Sequence, residues 1–113
     1  MKPVEWRPQA RRDAAAAAYW YAQQGGLPLG EAFLTEVDTT LDRIAQHPAI
    51  GSTRHAEQAP DLPSLLRFLP LRRFEHHLVY YIDLPEHIEV LRIWHAARGL
   101  AALMDATMDN DLE

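Results

Sequence analysis

The sequence has no cysteine, and its sole lysine is Lys2. The first absence removes disulfide frameworks, thiolate nucleophiles and cysteine-based zinc sites, and it fits a reducing cytoplasm, the expected location. No window approaches the roughly 18 consecutive apolar residues that a spanning helix needs, and the opening MKPVEWRPQARR has no apolar h-region. The chain is therefore expected neither to cross a membrane nor to carry a classical export signal. Internal repeats and low-complexity linkers are also missing. Positive charge is scarce: the formal net charge is −5. Counterion release needs clustered Lys and Arg, so direct binding to nucleic acid is not expected.

What is present is enough for one hydrophobic core. The 113 residues are 48% hydrophobic and 24% charged, close to globular proportions. The acidity is uneven: DATMDNDLE at the carboxyl end carries four acids and no base, and the rest is nearly neutral. This divides the chain into a single domain, residues 1–104, and an acidic tail, residues 105–113, expected to fray or to screen a basic site in cis.

Periodicity then sets out the elements. PVEWR alternates Val4 and Trp6 with polar neighbours, as a short strand does. Pro8 suits the first turn of a helix, and QARRDAAAAAYWYAQQ runs on to Gly25 and Gly26. Ala10, Ala14, Ala17, Ala18 and Tyr21 share one flat face of it. A second helical run starts near Leu29 and spaces Phe33, Val37, Leu41, Ile44 and Ala45 until His47-Pro48. The two predict an antiparallel helix hairpin joined by GGLP. After a loop from Gly51 to Pro63 come three apolar stretches, LLRFL (65–69), HLVYYID (77–83) and IEVLRIW (88–94), the last two forming a hairpin. Alternation places Val90, Arg92 and Trp94 on one face of the last strand. LAALMDATM beyond Gly99 reads as a short helix or a docked tail. The expected fold class is α+β: strand, antiparallel helix hairpin, three-stranded antiparallel meander, then a short C-terminal helix or tail.

Chemistry-bearing residues gather at one place. RRFEHHLVYYID (72–83) sets two arginines and two histidines ahead of a strand, and the hairpin brings His76 or His77 back to Trp94 or His95. Arg98 and Arg67 are expected to join them in a target-binding surface of Arg67, Arg72, Arg73, His77, His95 and Arg98. Each also has a plain role available: the strand arginines as solvated edge charges, His77 as a cross-strand hydrogen-bonding group, and His95 as a cap at the end of its strand. A zinc site built from His76, His77, His87 and His95 is disfavoured, because adjacent strand residues face opposite sides. The expectation is no metal and no cofactor. On the first helix Ala14, Ala17, Trp20 and Tyr21, with Phe33 from the second, make a shallow apolar surface for a partner, with Trp20 as the protruding anchor.

The element order, with Pro8, Ala10 and Asp13 opening the first helix, the aromatic cluster Tyr19 to Tyr21, Ala32-Phe33, IAQHPAIG (44–51), Arg67, His77 to Tyr81, Leu91 to His95 and Arg98, resembles the RelE/ParE superfamily of bacterial toxins over residues 4–98. The sequence departs from that pattern at Arg7, where a helix-capping Ser is common, and by two extra residues between Arg67 and His77. The resemblance implies the toxin of a type II toxin–antitoxin system, in a hetero-oligomer with a cognate antitoxin that lies over the helix hairpin and sheet by groove binding and strand addition. It also offers two chemistries. ParE-like relatives inhibit DNA gyrase and have no catalytic step of their own. RelE-like relatives are ribosome-dependent endoribonucleases, a role that Arg72 or Arg73, His95 and Arg98 would fill here. No Tyr follows His95 and the chain is acidic, so the ParE branch is favoured, and with it the absence of enzyme activity. A non-toxic interaction protein of the same fold is the third reading.

Overall fold

The structure, a computed structural model, describes residues 1–103. The acidic tail expected over residues 105–113 lies outside them. The elements are β1 (Val4–Trp6), α1 (Pro8–Gly25), α2 (Leu27–Gln46), β2 (Arg67–Pro70), β3 (His77–Asp83) and β4 (Ile88–His95). Short 3-10 turns occupy Pro48–Ile50, Ala56–Gln58 and Ala96–Arg98, and a helix begins at Leu100. The class is α+β, as the element order implies.

The sheet differs from a three-stranded meander. β2, β3 and β4 do pair antiparallel in sequence, but β1 adds to β4 in parallel, giving a four-stranded mixed sheet of order β1-β4-β3-β2. The parallel partner is three residues long, from Val4 opposite Ile88 to Trp6 opposite Val90. Beyond it the Arg7 N–H still donates to the Val90 carbonyl at 3.0 Å. Arg7, at the N-cap position of α1, makes no side-chain cap bond. Its Nε donates instead to Glu89 at 2.8 Å, tying the start of the helix to β4.

The helix hairpin is tighter than GGLP suggested, since α1 and α2 are separated by Gly26 alone, at φ 90. Only glycine takes that backbone angle without steric cost. Ala10, Ala14 and Ala18 are buried, packed with Phe33, Val37, Leu41 and Ile44 of α2 and Val79, Tyr81, Ile88, Val90 and Ile93 of the sheet. Side chains that stop at Cβ let α1 approach the sheet closely. Two residues expected on a partner surface are thus core: Ala14 packs in the protein's own interior, and Phe33 is fully buried.

The opposite sheet face carries a second apolar cluster of Leu66, Phe68, Tyr80, Ile82, Leu91, Trp94 and Leu103, flanked by Ala59 and Leu62 of the long loop and by Leu100. His55 of that loop stacks on Phe68 with ring centroids 4.5 Å apart and shares a 2.9 Å hydrogen bond with the Tyr80 hydroxyl. The register slips between Tyr80, opposite Arg92, and Tyr81, opposite Val90, so Leu91 is an extra residue in β4. This β-bulge breaks the expected alternation. Val90 and Ile93 join the helix-side core, whereas Trp94 joins the far cluster.

Little sheet edge remains for an added strand. Ser52 exchanges both backbone hydrogen bonds with Phe68 on the outer side of β2, at 2.9 and 3.0 Å. Pro70 has no N–H to offer. At the other edge β1 is short and stands between Pro3 and Pro8.

Candidate functional site

At the end of the sheet where β3 starts and β4 finishes, a cavity of about 380 Å³ opens between α1 and β4. Asp13, Ala16, Ala17, Trp20 and Tyr21 line it from the helix, and His77, Ile93, His95 and Arg98 from the sheet and the turn beyond it. A helix supplies residues three and four apart to one face, which is why Asp13, Ala17 and Tyr21 meet the same space.

Its floor is fixed by an ion pair. The Arg92 Nε and a terminal guanidinium nitrogen donate to the two oxygens of Asp13 at 2.6 and 2.8 Å, and the Ile93 N–H donates to the same carboxylate at 3.1 Å. Arg92 is only 3% exposed. Asp13 thus takes over the edge of β4 where β1 has ended, and satisfies a buried guanidinium whose register partner is Tyr80 and which also lies 4.7 Å from the Trp94 ring. Sequence reasoning missed Arg92 as a site residue. A charged residue inside the apolar run IEVLRIWH was the available signal, because a buried charge demands a partner.

The next layer is aromatic. His77 stands opposite His95 in the β3–β4 register. It is 7% exposed, and its Nδ1 shares a 3.2 Å hydrogen bond with the Tyr21 hydroxyl. The His77 ring meets those of Phe33 and His95 edge-on at 5.0 and 4.9 Å. Burial, then the neighbouring His95 and His76, lowers its pKa to about 4, so it is neutral near pH 7. Burial raises the pKa of the Tyr21 hydroxyl, which keeps its proton. His95 Nδ1 accepts the Ala97 N–H at 3.1 Å, the strand-end cap expected of it. It therefore has both a structural role and a place in the cavity wall.

The arginines separate. Arg98 lines the cavity, its guanidinium carbon 4.0 Å from the centroid of Trp94. Arg72 and Arg73 lie exposed in the β2–β3 turn, outside the cavity lining. The Arg72 backbone N–H donates to Glu36 and the Arg73 guanidinium lies over Phe74. Arg67 is elsewhere: it donates to the carbonyls of Ala49 and Gly51 at 3.2 and 2.9 Å, clamping the loop after α2. The six expected target-binding residues therefore do not all line one cavity. The structure instead brings His77, His95 and Arg98, expected to meet a target, together with Ala17, Trp20 and Tyr21, expected to meet an antitoxin. Trp20 is 53% exposed at the rim. Among the described residues no group of three or more His, Asp or Glu is placed to hold a metal ion, and no helix is long and apolar enough to cross a membrane.

Comparison with known proteins gives a family match over residues 4–100, to the ParE toxin of the type II toxin–antitoxin system parDE. No curated protein matches. Among solved structures, a chain of the chromosomal ParDE TA system from P. aeruginosa superposes with a TM-score of 0.68 at 20% identity, over 84% of this chain and 96% of that one. At that identity the likeness is one of fold.

Proposed function

Given that the chain belongs to the ParE toxin family, we propose that it acts by binding DNA gyrase and is held inactive by a cognate antitoxin in a toxin–antitoxin hetero-oligomer. The observation that carries this reading is the cavity between α1 and β4, where apolar helix residues and the residues of the strand end meet around one space. A partner seated there touches Trp20 and Arg98 together, so antitoxin and target would compete for one place. Side-chain recognition in a groove also suits a sheet with little free edge, and strand addition is not needed. Arg72 and Arg73, at the same end of the sheet but outside the cavity, extend the surface outward.

The domain is proposed to run over residues 1–104, with the acidic tail as an appendage. Without a catalytic step the protein needs no cofactor. The ribonuclease alternative requires Arg72 or Arg73 beside His95 and Arg98 around one phosphate, and neither of those two arginines lines the cavity.

The deciding experiment is a supercoiling assay with purified gyrase, run beside a translation assay with messenger cleavage mapping. Loss of supercoiling with intact messenger is expected. Ribosome-dependent cleavage that vanishes in His95→Ala would replace this reading with the ribonuclease one.

A further inference from the structure

The cavity holds one cation without a partner among the described residues. Arg92 is committed to Asp13, and the Asp13 carboxylate is in turn filled by two guanidinium nitrogens and the Ile93 N–H. Arg98 has no hydrogen bond or ion pair to any described residue; its contact is the stack on Trp94. Trp94 is itself held, buried, with its indole N–H donating to the Gly99 carbonyl at 3.3 Å. The guanidinium is therefore oriented by a fixed ring while its edge N–H groups are not used by any described residue. A planar fork with free donors matches a carboxylate in two-point geometry.

The surroundings narrow the ligand. Ala16, Ala17 and Ile93 supply apolar lining in the same cavity, the Asp13 carboxylate there is already taken up by Arg92, and the Trp20 ring is exposed. A volume of about 380 Å³ is near the low end of ligand pockets, roughly 300 to 1,000 Å³, which suits side chains of a partner better than a larger ligand. A phosphate group would want several cations or a row of backbone N–H groups, and here Arg98 is the single arginine among the lining residues, in a chain of net charge −5.

We propose that this cavity receives an acidic side chain carried next to a bulky apolar one on a partner polypeptide, with Arg98 taking the carboxylate and the Ala16, Ala17 and Ile93 wall taking the apolar group. The proposal rests on the reading of the cavity as a partner-docking site and adds the chemistry of the occupant. Charge and apolar contact are both required: an exposed ion pair alone contributes little, and the apolar group removes water from around it.

The test uses the purified full-length chain and four small probes, N-acetylphenylalanine, its amide, acetate and inorganic phosphate, followed by NMR at the Arg98 side chain, His95 and the Trp20 indole. N-acetylphenylalanine should shift all three saturably and bind about tenfold more tightly than its amide or acetate, as for one favourable charge contact. Arg98→Gln should abolish the difference between acid and amide, and Ala17→Trp should block both. Equal binding of acid and amide would overturn the proposal, as would tighter binding of phosphate at the same resonances, or no saturable shift with any probe. The comparison among probes on the unaltered chain stands even if a variant fails to fold. Gyrase inhibition and antitoxin capture are not read in this titration. A chain that retains both but does not distinguish the probes would sink the cavity chemistry alone.

Discussion

Arg92 of β4 and Asp13 of α1, 79 residues apart, form a buried two-point ion pair at 2.6 and 2.8 Å. Both side chains are under 10% exposed, at 4% and 8%. Breaking such a pair by removing one member leaves the other charge buried, at a typical cost of about 3 to 5 kcal/mol. Asp13→Ala and Arg92→Ala should each lower stability by that order in denaturant melts. Asp13→Ala should also open the β4 edge, visible as faster hydrogen exchange at the Ile93 N–H. Unchanged melting in both variants would mean that the pair does not anchor the helix.

A second prediction concerns Gly51 and Tyr81. The Tyr81 hydroxyl donates to the Pro48 carbonyl at 2.7 Å and accepts the Gly51 N–H at 2.9 Å. A Cβ at position 51 would lie 2.6 Å from that hydroxyl oxygen. Gly51→Ala must push the ring or the loop aside and should cost about 1 to 3 kcal/mol. Tyr81→Phe loses both bonds and leaves the Gly51 N–H unpaired, a loss of about 1 to 3 kcal/mol. Combined in one chain, the two changes should cost less than their sum, because a loop or ring displaced by the alanine has already weakened the hydroxyl's bonds and phenylalanine removes one of the clashing atoms, although the ring carbon at 2.7 Å stays. Additive losses in thermal melts would contradict this coupling.

The third is a pH dependence. His77 has a folded pKa of about 4, below the ordinary 6.5, so between those values the unfolded chain binds the proton that the folded chain refuses. Its stabilising contribution is complete above pH 6.5 and is lost as pH falls toward 4. At about 1.4 kcal/mol per pKa unit this is of the order of 3 kcal/mol. Stability curves for the unaltered chain and for His77→Gln should therefore converge as pH falls through that window. Parallel curves would show that His77 is not the group responsible.

The arginines supply a fourth. Arg72→Ala with Arg73→Ala should stay within about 0.5 kcal/mol of the parent stability, as exposed charges usually do. Arg67→Ala removes two donors from the Ala49 and Gly51 carbonyls and should cost about 1 kcal/mol. Arg98→Ala should remove growth arrest in an inducible bacterial host while the chain still folds. A stable and fully toxic Arg98→Ala chain would take Arg98 out of the site and shift attention to the Arg72–Arg73 turn.

Much of this was legible in the sequence because periodicity reports burial. Phe33, Val37, Leu41 and Ile44 at helical spacing, and the β-branched run at 77–83, name their elements correctly. What periodicity does not report is the opposite wall. The alanines of α1 signal close approach, yet the same pattern suits a partner or the protein's own sheet, and the sheet takes Ala14. Phe33 belonged to the core by the spacing that identified its helix. The parallel pairing of β1 with β4 joins residues more than 80 positions apart and leaves no local trace. Leu91 looks like any strand leucine, so the bulge that parts Val90 from Trp94 is invisible until the register is known. The cavity survives these corrections with half of its expected residues, because His77, His95, Arg98, Ala17, Trp20 and Tyr21 sit at ends that the hairpins bring together.

The short supply of free sheet edge bears on how such proteins coexist. A partner that joins a sheet by its backbone uses hydrogen bonds that every sequence can make, so attachment by strand is permissive. Where Ser52 and Asp13 already occupy those positions, attachment at the proposed cavity would be read through side chains instead. One substitution at Ala17 or Arg98, matched by one in the partner, is then enough to create a pair blind to its ancestors. Several copies of this fold in one cell can in this way keep their partners apart without any change in the fold itself.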